Sequence, residues 1–83
     1  MQEKFGNATQ TEVRAFHQRV SAKIRAMREE RGISQLDLAL EIGIKSVAFY
    51  SNCESNRYDK HFNLEHCYKI AKAFNVNITE FFL

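Results

Sequence analysis

Apolar residues in this chain recur at spacings of three and four over most of its length, the period of a helix with one buried side. Val13, Phe16, Val20, Ile24 and Met27 form the first such stripe and predict a helix from about Glu12 to Arg31. Gly32 follows, able to take the left-handed conformation that closes a helix, and Ser34 stands where an N-cap side chain would accept from the next turn's amides. A second helix is expected over Gln35 to Ile42, with Leu38, Ala39 and Ile42 inward, ended by Gly43. Ser46 then caps a third, in which Val47, Tyr50 and Cys53 lie three apart on one face. Ser55 to Phe62 reads as a polar loop. Asn63 caps a fourth helix with Leu64, Cys67, Ile70, Ala71 and Phe74 as its buried stripe, and Thr79 or Asn77 can cap a last helical turn holding Phe81, Phe82 and Leu83.

The pattern defines an all-α, compact five-helix domain over residues 12–83, preceded by a flexible N-terminal arm over 1–11 that shows no periodicity. At 83 residues there is room for one domain and none for a second, catalytic one. An apolar share of 45% is enough for a packed core. No run reaches the length of a membrane span, and the first residues lack the apolar stretch of a secretory signal, so a cytoplasmic protein is expected. Two short helices joined by a tight glycine turn form a helix-turn-helix unit.

Charge adds a direction. The formal net charge is only +2, but Arg14, Arg19, Lys23, Arg25, Arg28 and Arg31 crowd the first helix against Glu29 and Glu30. Such a face is equally a solvated helix surface, so it permits nucleic acid without requiring it.

Enzymatic readings find little support. His17, His61 and His66 with Cys53 and Cys67 show no metal-ligand spacing, and surface histidines with reduced, buried thiols are the plainer reading. There is no glycine-rich phosphate loop and no nucleophile with a base at a recognisable spacing. No enzyme activity, cofactor or metal is expected.

The run Arg31-Gly32-Ile33-Ser34-Gln35, then Leu38-Ala39, Ile42-Gly43-Ile44 and Glu54, resembles the Xre/Cro-type helix-turn-helix domain of phage repressors. Asn63-Leu64, Cys67, Ile70-Ala71-Lys72-Ala73-Phe74 and Val76 are similar to that family's fourth and fifth helices. The resemblance covers about Val20 to Phe82. It implies a transcriptional regulator, most simply a repressor, that binds double-stranded DNA as a homodimer on a palindromic operator, with the third helix in the major groove.

On that reading Gln35 matches a position that holds a phosphate at a helix start. The outward residues of the recognition helix are Lys45, Ser46, Val47, Ala48, Ser51 and Asn52. Asn52 suits an adenine edge, Lys45 a guanine or phosphate, and Val47 or Ala48 a thymine methyl. Equally, Ser46 serves as a cap and Val47 as core. Arg57 and Lys60, in the loop beyond, would hold phosphates. The resemblance also implies a partly buried ion pair between Arg28 and Glu54. Phe81, Phe82 and Leu83, three large apolar residues in a row, point to a subunit interface, because one helix cannot bury all three in its own core; the alternative folds Phe81 and Leu83 back onto helix one and Phe16 and leaves Phe82 singly exposed.

Three departures stand out. One residue more than usual separates Gly43 from Glu54, Asn56 replaces the usual glycine after that glutamate, and Phe62 replaces the usual proline before helix four. The recognition helix also starts without the Gln or Arg of strong direct readout. A rival from another class keeps the fold and uses its surface for a protein partner, as an antitoxin-like or adaptor module would. RNA is a lesser rival, since no stacking platform is evident.

Overall fold

The computed structural model describes residues 6–83; the first part of the expected arm, residues 1–5, lies outside them. Four α-helices follow in order: α1 Gln10–Glu30, α2 Gln35–Glu41, α3 Val47–Ser55 and α4 Leu64–Phe74. Two short 3-10 turns, Arg57–Asp59 and Ile78–Phe82, complete the chain, and no strand occurs among the described residues. The expected fifth helix is therefore a 3-10 turn, begun by Asn77, whose Oδ1 accepts from the Thr79 amide at 2.9 Å.

Each helix is bounded by side-chain chemistry. α1 begins two residues before the expected start, because Thr9 Oγ1 accepts from the Glu12 amide at 3.1 Å. Ser34, Ser46 and Asn63 cap α2, α3 and α4 in the same way. At α4 the cap is reciprocal: His66 Nδ1 accepts from the Asn63 amide while Asn63 Oδ1 accepts from the His66 amide. Gly32 and Gly43 adopt φ of +65° and +81°, which an L side chain resists. That turn lets the amides of Gly32 and Ile33 reach back to the carbonyls of Glu29 and Arg28. Asn56 and Asn75, the residue type that best tolerates this region after glycine, end α3 and α4.

α1 packs on α3 and on the C-terminal turn, while α2 lies against α3 and α4. The core between them holds Val20, Ile24, Leu38, Ala39, Ile42, Tyr50, Cys53, Phe62, Cys67, Ile70, Ala71, Phe74 and Phe81. Two expectations need correction, and one open reading is decided. Val47, open between core and an outward position, is exposed, and Leu64 is not core but exposed; each is the first residue of its helix. Phe81 is not interface material: it is 1% exposed and meets Phe74 edge to face with centroids 6.3 Å apart. Three residues per turn bring Ile78 and Phe81 to one side of a 3-10 turn, and that side faces the core. Phe82 and Leu83 point away, 41% and 80% exposed, with Phe82 stacked on Phe16 of α1 at 6.1 Å.

Candidate nucleic-acid interface

The orientation of α3 is set by a buried polar network centred on Glu54. Arg28 Nε donates to Glu54 Oε2 at 2.9 Å and its NH2 donates to Oε1 at 3.0 Å, a two-pronged guanidinium–carboxylate pair. Arg28 NH1 donates to the Ile33 carbonyl at 2.8 Å. Gln35 Nε2 donates to Glu54 Oε1 at 3.0 Å and the Tyr50 hydroxyl donates to Oε2 at 2.7 Å. One carboxylate thus ties together α1, the turn after it, the start of α2 and α3.

Burial by itself would push the Glu54 carboxyl up, but the hydrogen bonds from Arg28, Gln35 and Tyr50 and the Arg28 charge outweigh it and hold the group below its ordinary value. Burial first, then the neighbouring carboxylate, holds the Tyr50 phenol far above its usual range. No buried side-chain nitrogen or oxygen among the described residues lacks a partner. A network satisfied this fully fixes one packing rather than several.

With α3 fixed, its first turn faces outward. Lys45, Ser46, Val47 and Ala48 are exposed, and Ser51 and Asn52 are half-buried further along. The Ser46 hydroxyl accepts from the Phe49 amide at 3.1 Å. Phe49 itself leans inward and packs against the core.

The loop after α3 is pinned by Asn56. Its Nδ2 is shared among Ser21 Oγ, the Cys53 carbonyl and the Lys60 carbonyl at 3.0 to 3.3 Å. Ser21 is buried and its hydroxyl donates to the Cys53 carbonyl as well. Arg57 and Lys60 are exposed on this loop, and Arg14 of α1 approaches it through Asp59 at 3.7 Å. His17 of α1 stacks on His61 with centroids 3.8 Å apart. Burial, and next the nearness of His61, lower the His17 pKa against the opposing pull of Asp59.

The structure gathers Arg28, Gln35 and Glu54 into one cluster, sets Lys45, Ser46, Val47, Ala48, Arg57 and Lys60 on the surface, and leaves Ser51 and Asn52 half-buried. Gln35, expected to hold a phosphate or to stand on the surface without a partner, has its amide bonded to Glu54. Tyr50, expected as an apolar core residue, is buried but also polar in role; its spacing of four from Glu54 on one helix is the signal that places the hydroxyl on that carboxylate. Tyr58 lies in a stretch that reads as a polar loop, with no sequence signal of its own. Cys53 and Cys67 are free, buried thiols, with Cys53 raised to about 11 by burial. Among the described residues no three metal-ligating side chains cluster, and no helix is long and apolar enough to cross a membrane.

A family model described as helix-turn-helix matches residues 24–81, well over half the chain. The matched span begins in α1 and runs through the whole Glu54 network to Phe81. The chain belongs to this helix-turn-helix family, of the Xre/Cro-like kind, a family of DNA-binding transcription regulators. No match was found among curated proteins or among solved structures.

Proposed function

We propose that the protein is a cytoplasmic transcriptional repressor that reads a palindromic operator in double-stranded DNA as a homodimer. The observation that carries this reading is the outward first turn of α3, held in one orientation by the Glu54 network and flanked by exposed cations. In the major groove, Asn52 would pair with an adenine edge, Lys45 with guanine or a phosphate, and Val47 and Ala48 with a thymine methyl. Ser46 and Ser51 would approach the same edges or the sugar. Gln35 keeps one amide hydrogen beyond the one given to Glu54, enough for a phosphate beside α2. Arg57 and Lys60 would hold the backbone without reading sequence.

A homodimer is supported by Phe82, exposed and stacked on Phe16, and by the exposed Leu83, with Phe81 turned inward. Pairing two modules about one helical turn apart multiplies contacts that a single small domain lacks. Selection of bound sequences from a random duplex pool tests the reading: a two-fold symmetric motif is expected, and recovery of no motif would contradict it.

A second reading draws on Leu36 and Leu40, which lie four apart on the outer side of α2 and remain 49% and 59% exposed. That apolar stripe suits a protein partner, as in an antitoxin-like module. Such a module would show no salt-dependent duplex binding at all, because it makes no phosphate contacts that release counterions.

A further inference from the structure

The chain leaves α3 through a strained corner. Asn56, Tyr58 and Asp59 all adopt positive φ, at 58°, 55° and 61°. Asparagine and aspartate tolerate this region, but for a bulky aromatic it is an outlier with a cost to the fold. Tyr58 gains little in return. Its ring is 75% exposed, and the Arg57 guanidinium lies over it, 5.6 Å from the centroid. Glycine would fill the same backbone position without strain. The corner does not depend on Tyr58 for its shape, since the Asn56 side chain already ties it to Ser21, Cys53 and Lys60. A costly residue that the folded chain scarcely uses is one whose partner lies outside it.

We propose that Tyr58 is a contact residue for the sugar-phosphate backbone of the duplex. Its ring packs on a deoxyribose, its hydroxyl donates to a phosphate oxygen, and its face keeps the Arg57 guanidinium turned toward a neighbouring phosphate. The inference rests on the DNA-binding reading and adds to it a neutral contact between two cationic ones, Arg57 and Lys60. The chemistry fits the place: the corner directly follows the recognition helix, and Arg14 and Lys60 adjoin it.

Three variants test it: Tyr58→Gly, Tyr58→Phe and Arg57→Ala, each measured for thermal midpoint and for affinity to duplexes over a range of salt. Tyr58→Gly is expected to hold or raise the midpoint, because the strain is relieved, while duplex affinity falls about tenfold for preferred and random sequences alike. Tyr58→Phe loses part of that affinity at an unchanged salt slope, since a hydroxyl displaces no counterion, whereas Arg57→Ala reduces the slope by about one. If the wild-type protein binds duplexes and Tyr58→Gly binds them equally well, Tyr58 is no contact and the DNA reading stands without it. A lowered midpoint for Tyr58→Gly would show instead that the ring serves the fold. If the wild-type protein shows no salt-dependent duplex binding, both readings fall together.

Discussion

Glu54 is the residue on which the arrangement turns, and its chemistry gives two expectations. Its side chain is 2% exposed and that of Arg28 10%, so removing one leaves the other buried and uncompensated. Glu54→Ala is expected to cost about 3 to 5 kcal/mol in denaturant unfolding, against about 0 to 1 for a surface pair. A negligible shift of the midpoint would contradict the network. The second expectation concerns pH. Glu54 is held below its ordinary 4.5 in the folded protein, so the unfolded chain binds more protons as pH falls through the carboxylate range. The stability it contributes is complete above the unfolded value and is lost as pH drops through the lower folded one. Urea midpoints should therefore fall more steeply with acid for the wild type than for Glu54→Gln; parallel profiles would argue against a depressed carboxyl.

At the scale of elements, α3 and the loop behind it divide reading from holding. Asn52→Ala should lower affinity for the preferred duplex by about 1 to 3 kcal/mol and relax the preference at one base pair. Lys60→Ala should weaken all duplexes alike. An unchanged preference for Asn52→Ala would remove it from the reading surface. Most of these elements were legible in the sequence, because their ends are written locally: Ser34, Ser46 and Asn63 do cap α2, α3 and α4, and Gly32 and Gly43 do take positive φ. The errors arise where periodicity runs past the edge of the bundle. Leu64 fits its stripe but begins its helix, and Phe81 follows a three-residue period that a 3.6-residue pattern misplaces. Gln35 on Glu54 and His17 on His61 are contacts between distant segments, which no local pattern encodes. The strain at Tyr58 is a backbone fact with no sequence signal beyond the absence of glycine there.

For the whole molecule, the inward turn of Phe81 separates stability from assembly. Phe81→Ala removes a fully buried ring and is expected to cost about 3 to 5 kcal/mol of stability, whereas Phe82→Ser should leave the fold intact and weaken self-association. Sedimentation at micromolar concentration distinguishes them: a wild-type dimer turned monomer by Phe82→Ser is expected, and a monomeric wild type would contradict the homodimer.

The salt dependence of wild-type duplex binding bears most directly on what the protein does. Two copies each using Arg57 and Lys60 to hold phosphates release counterions on binding, so the logarithm of affinity should fall linearly with the logarithm of salt, with a slope of about −3.6 or steeper. Affinity that is absent, or flat across the same salt range, would contradict a DNA-binding role and leave the exposed leucines of α2 as the working surface.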